Sequence, residues 1–252
     1  MQERYNSNMA KFSGITSILS LILLLIAFSK RNTFSDDINL HATNIQEPLQ
    51  IAIDQPAFTT VFNEETFEVI PKYDYELNGI VVSYRLHDSE NGQMLHALTK
   101  DHLNVADFCV VWGDAANPEL LREFKFSNAQ FTCRYSSHNQ QAWQSFNHNQ
   151  LSNNHLLATD STVRTIISDV KIGDQINIKG WLSHYKGPIG GFRGTSIVRT
   201  DTGNGACETI FVNDIQIIKS MDNFWRALLT FSIGSLLISL FIYFKSPYEP
   251  YR

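Results

Sequence analysis

Three cysteines, eight histidines and a wide scatter of carboxylates are the groups in this 252-residue chain that could do nucleophilic, redox or metal chemistry. Cys207 follows a glycine-rich turn, with Asp201 and Glu208 close in sequence and His155 or His184 available to approach in space. A cysteine nucleophile needs a base to generate thiolate near neutral pH and a carboxylate to orient that base. Cys207, His155 and Asp201 are therefore the catalytic candidates for a membrane-anchored hydrolase or thiol-dependent transferase. The simpler reading is a buried thiol where a strand begins, so catalysis stands second.

Cys109 and Cys133 sit on two short alternating segments about one hairpin apart. In an oxidising compartment they would close a loop of ~24 residues, worth roughly 3 kcal/mol by loop entropy. Two reduced core thiols are the alternative, and Cys207 is left over for intermolecular pairing. Asp201-Thr202-Gly203 matches the tripeptide of aspartic proteases. It lacks their apolar flank and a second copy, so a hairpin turn explains it better. His87, His96 and His102, with Asp88 and Asp101, form the densest histidine group, but their spacing fits no ligand pattern and no metal is expected. Arg193-Gly194-Thr195-Ser196 with Arg199 could hold an anion, or form structural ion pairs. Phosphate loops of the G-x-x-x-x-G-K-S/T kind are absent, and no cofactor is implied.

The elements that must carry these groups are mainly strands. Ile80, Val82, Tyr84 and Leu86 alternate with polar or smaller partners, as do Phe108, Val110 and Trp112, and then Phe131, Cys133 and Tyr135. A short strand over Thr66 to Ile70 is stopped by Pro71. The Asn- and Gln-rich run from 138 to 154 contains Trp143, Phe146 and Leu151, which predict a docked loop rather than disorder. Asp160 or Ser161 caps a helix to about Asp169, with Val163, Ile166, Ile167 and Val170 on its apolar face. After Gly173-Asp174, Ile176, Ile178 and Leu182 fall on one strand face and Asn177, Lys179, Trp181 and Tyr185 on the other. Apolar positions in the last strand change parity around Asn213-Asp214, which predicts a bulge there.

These signals predict an α+β, mainly β fold: a small, strongly bent sheet or barrel of OB or SH3-like type with one short helix. The runs LSNNHLL, GDQI, RGTS and DTGNGACETI resemble a bacterial family of membrane-tethered proteins of unknown function. The resemblance covers about residues 73 to 218 and implies no activity.

Phe12 to Phe28 carries no charge and Trp225 to Phe244 only Arg226, and each approaches the ~20 apolar residues a bilayer-crossing helix needs. The expected organisation is a tail over 1–11, a membrane helix over 12–29 and an extended spacer over 30–65. A soluble domain over 66–220, a second membrane helix over 223–244 and a tail over 245–252 follow. Arg4 and Lys11 precede the first span without a small-x-small cleavage site after it, predicting an uncleaved signal anchor. Ser13 with Ser17, and Ser235 with Ser239 beside Gly234, give the small-residue spacing that lets membrane helices pair or oligomerise.

The chain carries 20 Lys+Arg against 25 Asp+Glu, and residues 32–220 hold 13 of the former against 22 of the latter. An acidic middle makes nucleic acid and anionic surfaces poor partners. The leading expectation is an extracytoplasmic binding or scaffolding module of a bacterial envelope, in the inner membrane with residues 30–222 in the periplasm and both termini cytoplasmic. Its protein partner would meet Lys179, Trp181 and Tyr185 on an outer strand face, aided by Arg193 and Arg199.

Overall fold

A computed structural model describes residues 2–35, 40–41, 46–87, 98–129, 131–201 and 206–246. It divides into two units, Met1–Ser35 with Asp222–Arg252, and Asp36–Met221.

The first unit is a pair of helices, α1 over Gln2–Lys30 and, at the other end of the chain, α5 over Phe224–Lys245. Both are long and apolar enough to cross a membrane. Helix α1 begins well before the uncharged run, because the polar residues ahead of it continue the same backbone. The serines mark where the helices touch: Ser17 Oγ lies 2.8 Å from Ser239 Oγ, and Ser20 Oγ lies 2.9 Å from Ser235 Oγ. Small side chains allow this approach, and a hydroxyl among apolar groups is stabilised by a partner. Asn223 caps α5 by accepting from the Trp225 amide at 2.8 Å, while its own amide donates to the Arg31 and Thr33 carbonyls.

In the second unit the strands are β1 over Leu49–Ala52, β2 over Phe58–Phe62, β3 over Glu65–Leu86 and β4 over Asn104–Val111. A one-turn helix α2 over Pro118–Arg122 leads into the hairpin β5 over Phe124–Ala129 and β6 over Thr132–Ser137. Helix α3 over Gln140–Ser145, β7 over Leu151–Leu157 and helix α4 over Ser161–Asp169 follow. The last strands are β8 over Gln175–Lys186, β9 over Phe192–Arg193 and β10 over Glu208–Lys219.

Strand β3 pairs β4, β4 pairs β7, β7 runs parallel to β10, β10 pairs β8, and β8 pairs β3. The hydrogen-bonded circuit thus returns to the strand on which it began, a strongly bent, mainly β arrangement. Side-chain alternation sorts its two faces. Phe108, Val110, Leu156, Ile176, Ile178, Leu182, Ile210 and Val212 form the enclosed core, which α4 caps with Val163 and Ile167. Asp160 caps α4 by accepting from the amides of Thr162 and Val163 at 2.8 and 3.0 Å.

The structure corrects two sequence expectations. Pro71 does not end a strand: β3 runs through it, because the pairing with β8 shifts register between Pro71 and Tyr73 and no ladder bond is demanded of the missing N–H. Nor is 30–65 wholly an extended spacer. Its β1 and β2 both pair with β3, and Phe58 packs edge-on to Trp181 and Phe211. The β2–β3 turn has positive φ at Asn63 and Glu64, the hairpin geometry of a two-residue primed turn, reached without the glycine that would have advertised it. At the parity change in β10, the pairing with β8 shifts register between Val212 and Asp214.

Candidate functional site

Strands β4, β7 and β10 are neighbours, and the residues between their core positions share the outer face. On β4 these include Asp107 and Cys109, on β7 Asn153 and His155, and at the head of β10 Cys207 and Thr209. Registers bring them level: Asp107 opposes His155, Cys109 opposes Asn153, and Thr209 pairs with His155.

The hairpin β5–β6 lies across this face. A Cys109–Cys133 disulfide ties it to β4, and Asn128 donates to the Asp107 carbonyl at 3.3 Å and to Asn153 Oδ1 at 3.4 Å. Beyond the hairpin, Phe124, Trp143 and Phe146 form an aromatic cluster, with Phe124 and Phe146 ring centres 4.6 Å apart. That packing docks the Asn- and Gln-rich run. On the other side, the segment 193–199 is stitched to β10 by a Ser196 amide bond to the Cys207 carbonyl at 2.8 Å and a Thr209 amide bond to Thr195 Oγ1 at 2.9 Å.

Hairpin, strands and segment enclose a cavity of ≈ 630 Å³ lined by Cys207, His155, Asn153, Cys133, Tyr135 and Arg193 among others. Its size suits a small organic ligand or a peptide side chain. At its base, His155 Nδ1 lies 2.5 Å from Asp107 Oδ1, and His87 Nε2 lies 3.0 Å from the same oxygen. Cys207 lines the same cavity and lies close enough to His155 to act on its charge. Cys207 Sγ also accepts from Asn153 Nδ2 at 3.4 Å and lies 3.5 Å from the Phe131 carbonyl oxygen, to which it donates.

Electrostatics follow from this chain of contacts. Burial works against charge on Asp107, but its bonds to His155 and His87 outweigh that and hold its carboxyl far below the usual carboxylate range. Burial likewise opposes charge on His155, yet its bond to Asp107 and the nearby Cys207 lift it to about 9. A fixed imidazole between a buried carboxylate and a thiol is the arrangement that takes a proton from sulfur and returns it to a leaving group.

The predicted residues are distributed unevenly around this site. Cys207 and His155 meet. Asp201 lines the same cavity but accepts from Ser196 Oγ at 2.6 Å, and the orienting carboxylate is Asp107 instead. Thr202 and Gly203 of the aspartic-protease tripeptide, with the rest of that turn, lie outside the described residues, as do Asp88 and His96 of the histidine group. His87 joins the Asp107 pair, and no group of three metal-ligating side chains occurs among the described residues. His184 Nδ1 accepts from the Thr195 amide at 3.0 Å, which uses a donor the anion-loop expectation needed.

Arg193 borders the cavity, stacked 4.1 Å over Phe131 and 3.4 Å from Asp101. Arg199 instead donates to Tyr75 Oη at 2.9 Å and Gln50 Oε1 at 3.3 Å. The outer strand face expected for partner binding is mostly covered. Tyr185 is 1% exposed and donates to Asp101 Oδ2 at 2.8 Å. Trp181 packs against Phe58 and Phe211. Lys179 is exposed and 3.5 Å from Glu76. The cover comes from β2, the segment whose pairing the sequence did not reveal.

Asp107 and Asn153 were missed, and His87 was singled out only as a member of the histidine group. A signal existed for the first: Asp107 is the one charged residue in the otherwise apolar run from Val105 to Val111, and a carboxylate there must have a partner. No protein-family model, curated protein or solved structure matches the chain.

Proposed function

We propose that the chain is a membrane-anchored thiol enzyme, a transferase or hydrolase working through a covalent thioester on Cys207. The observation that carries this reading is the His155–Asp107 hydrogen bond set beside Cys207 in one cavity. Cys207 reacts as the thiolate partner of protonated His155, and Sγ adds to an acyl carbonyl. Asn153 Nδ2, beside the sulfur, is placed to donate to the developing oxyanion. As the tetrahedral adduct collapses, the proton on His155 passes to the leaving amine or alkoxide. Water or a second nucleophile, deprotonated by the same imidazole, then releases the acyl group.

The strand circuit supports an OB-type barrel. Its five strands follow the order β3, β4, β7, β10, β8, the first of the two parallel partners is followed by a helix, and the site occupies the outer face of the second and third strands, where OB folds bind ligands. The disulfide and the two apolar helices support residues 30–222 lying in the periplasm of a bacterial inner membrane, with the termini cytoplasmic. A scaffolding role in that envelope would need a surface other than the one around Trp181 and Tyr185, since the fold occupies it.

The test uses the full chain in detergent with p-nitrophenyl acetate. An acetyl thioester on Cys207, lost in His155→Ala and in Cys207→Ser, is expected by intact mass. If Cys207 gains no acetyl group and alkylates no faster than in the denatured chain, the reading fails.

A further inference from the structure

We infer that Cys207 and the Cys109–Cys133 disulfide form a single thiol–disulfide exchange unit, in which Cys207 attacks Cys133 and Cys109 leaves. The inference rests on the activated thiol of the proposed function and adds an electrophile from the chain itself.

Both non-histidine contacts of Cys207 Sγ lie one step from a half-cystine. Asn153, which donates to Sγ, is the cross-strand partner of Cys109. Phe131, whose carbonyl meets Sγ, stands two residues before Cys133 on the hairpin. Ser83, Cys109 and Asn153 lie level across three strands, and Asn128 spans the outer two of them, with Ser83 donating to its Oδ1 at 2.5 Å. The reduced thiol and the disulfide therefore belong to one patch of sheet and one hairpin.

Accessibility selects the sulfur attacked. Cys133 lines the same cavity as Cys207, whereas Cys109 is wholly buried in β4. Exchange proceeds when the attacking thiolate reaches the exposed sulfur and the other sulfur departs. The step balances without an external oxidant. Cys207 attacks as the thiolate partner of protonated His155, the Cys207–Cys133 bond forms as the Cys109–Cys133 bond breaks, and the electron pair of the broken bond goes to Cys109. The proton held by His155 then neutralises Cys109, which sits one register pair away beside the Asp107 charge and is not stable there as an anion. One disulfide and one thiol remain throughout. In the exchanged form the nucleophile is blocked and the hairpin is tied to β10 rather than β4, so the exchange is a redox-neutral gate on the thiol.

The experiment uses full-length Cys109→Ser in detergent, oxidised with glutathione disulfide and digested without reduction. A Cys133–Cys207 link is expected to exceed separate glutathione adducts at least roughly tenfold, because tethered thiols face each other at millimolar effective concentration. Cys133→Ser is expected to give only a glutathione adduct on Cys207, because buried Cys109 cannot be reached. Separate adducts in the first variant, or an equally abundant Cys109–Cys207 link in the second, would overturn the inference. Should Cys109→Ser fail to fold, the wild-type chain is held at pH 8 without oxidant, acid-quenched, denatured in acid and alkylated there. Label on Cys109 supports exchange; label confined to Cys207 refutes it. The two readings fail separately. A Cys133–Cys207 link without any acetyl thioester removes acyl transfer alone, and a thioester without that link removes exchange alone.

Discussion

Asp107 has no exposed surface, and a carboxylate so placed would be strongly destabilising without the two imidazoles that meet one of its oxygens. The geometry gives it one chemical task, to fix the His155 tautomer and hold the ring charged when the thiol gives up its proton. Asp107→Asn keeps the shape and removes the charge. It should lower the His155 titration from about 9 towards its ordinary value near 6.5 in a histidine NMR series. Iodoacetamide alkylation of Cys207 at neutral pH should slow by roughly a hundredfold or more, the scale of a lost general base. A merely structural aspartate would leave both unmoved once folding is verified. Asn153→Ala separates the next step: alkylation needs no oxyanion donor and should stay near wild type, while acetyl transfer should fall ~100-fold.

Elements explain why part of this was readable beforehand and part was not. Helix α4, the alternating cores of β4 and β8 and the bulge in β10 follow from periods and caps that act within a few residues. The pairing of β1 and β2 with β3 depends on partners far along the chain, and their own residues carry no sustained alternation. The same holds for the site. Cys207 and His155 stand out by type, but Asp107 became their neighbour only through the β4–β7 register, while Asp201, nearer in sequence, was drawn to Ser196. Glu64 offers a local check, since it adopts φ 64° in an exposed turn. Glu64→Gly should relieve roughly 1 kcal/mol of left-handed strain and raise the thermal midpoint. Gly180 is the opposite case. A Cβ there would sit 2.1 Å from the Phe211 carbonyl oxygen, on the strand pair that leads to Cys207. Gly180→Ala should destabilise by about 1 to 3 kcal/mol in denaturant titration, the cost of overpacking.

At the scale of the whole chain, two buried groups make stability depend on pH in the same direction. Burial raises Glu208 from 4.5 to about 7, against the attraction of Arg199, and its Oε2 has no hydrogen-bond partner among the described residues. His155 is raised from 6.5 to about 9. In both cases the folded form binds its proton more tightly than the unfolded form, so the contribution is complete below the unfolded value and is lost as pH rises through the folded one. Stability should therefore decline from about pH 4.5 to 7 as Glu208 ionises, and again from about 6.5 to 9 as His155 loses its proton. Asp107 acts the other way, but only as pH falls below the ordinary carboxylate range, outside this window. Each decline has an upper bound of about 3 kcal/mol from the size of its shift. Chemical unfolding of the full chain in detergent, followed from pH 5 to 9, should show a midpoint falling monotonically. Glu208→Gln removes the first decline and leaves the second, because an amide cannot ionise. His155→Gln does the reverse. A profile flat from pH 5 to 9, or one that rises, would mean that neither proton is held by the fold and that the Cys207–His155–Asp107 line is not charged as its contacts require.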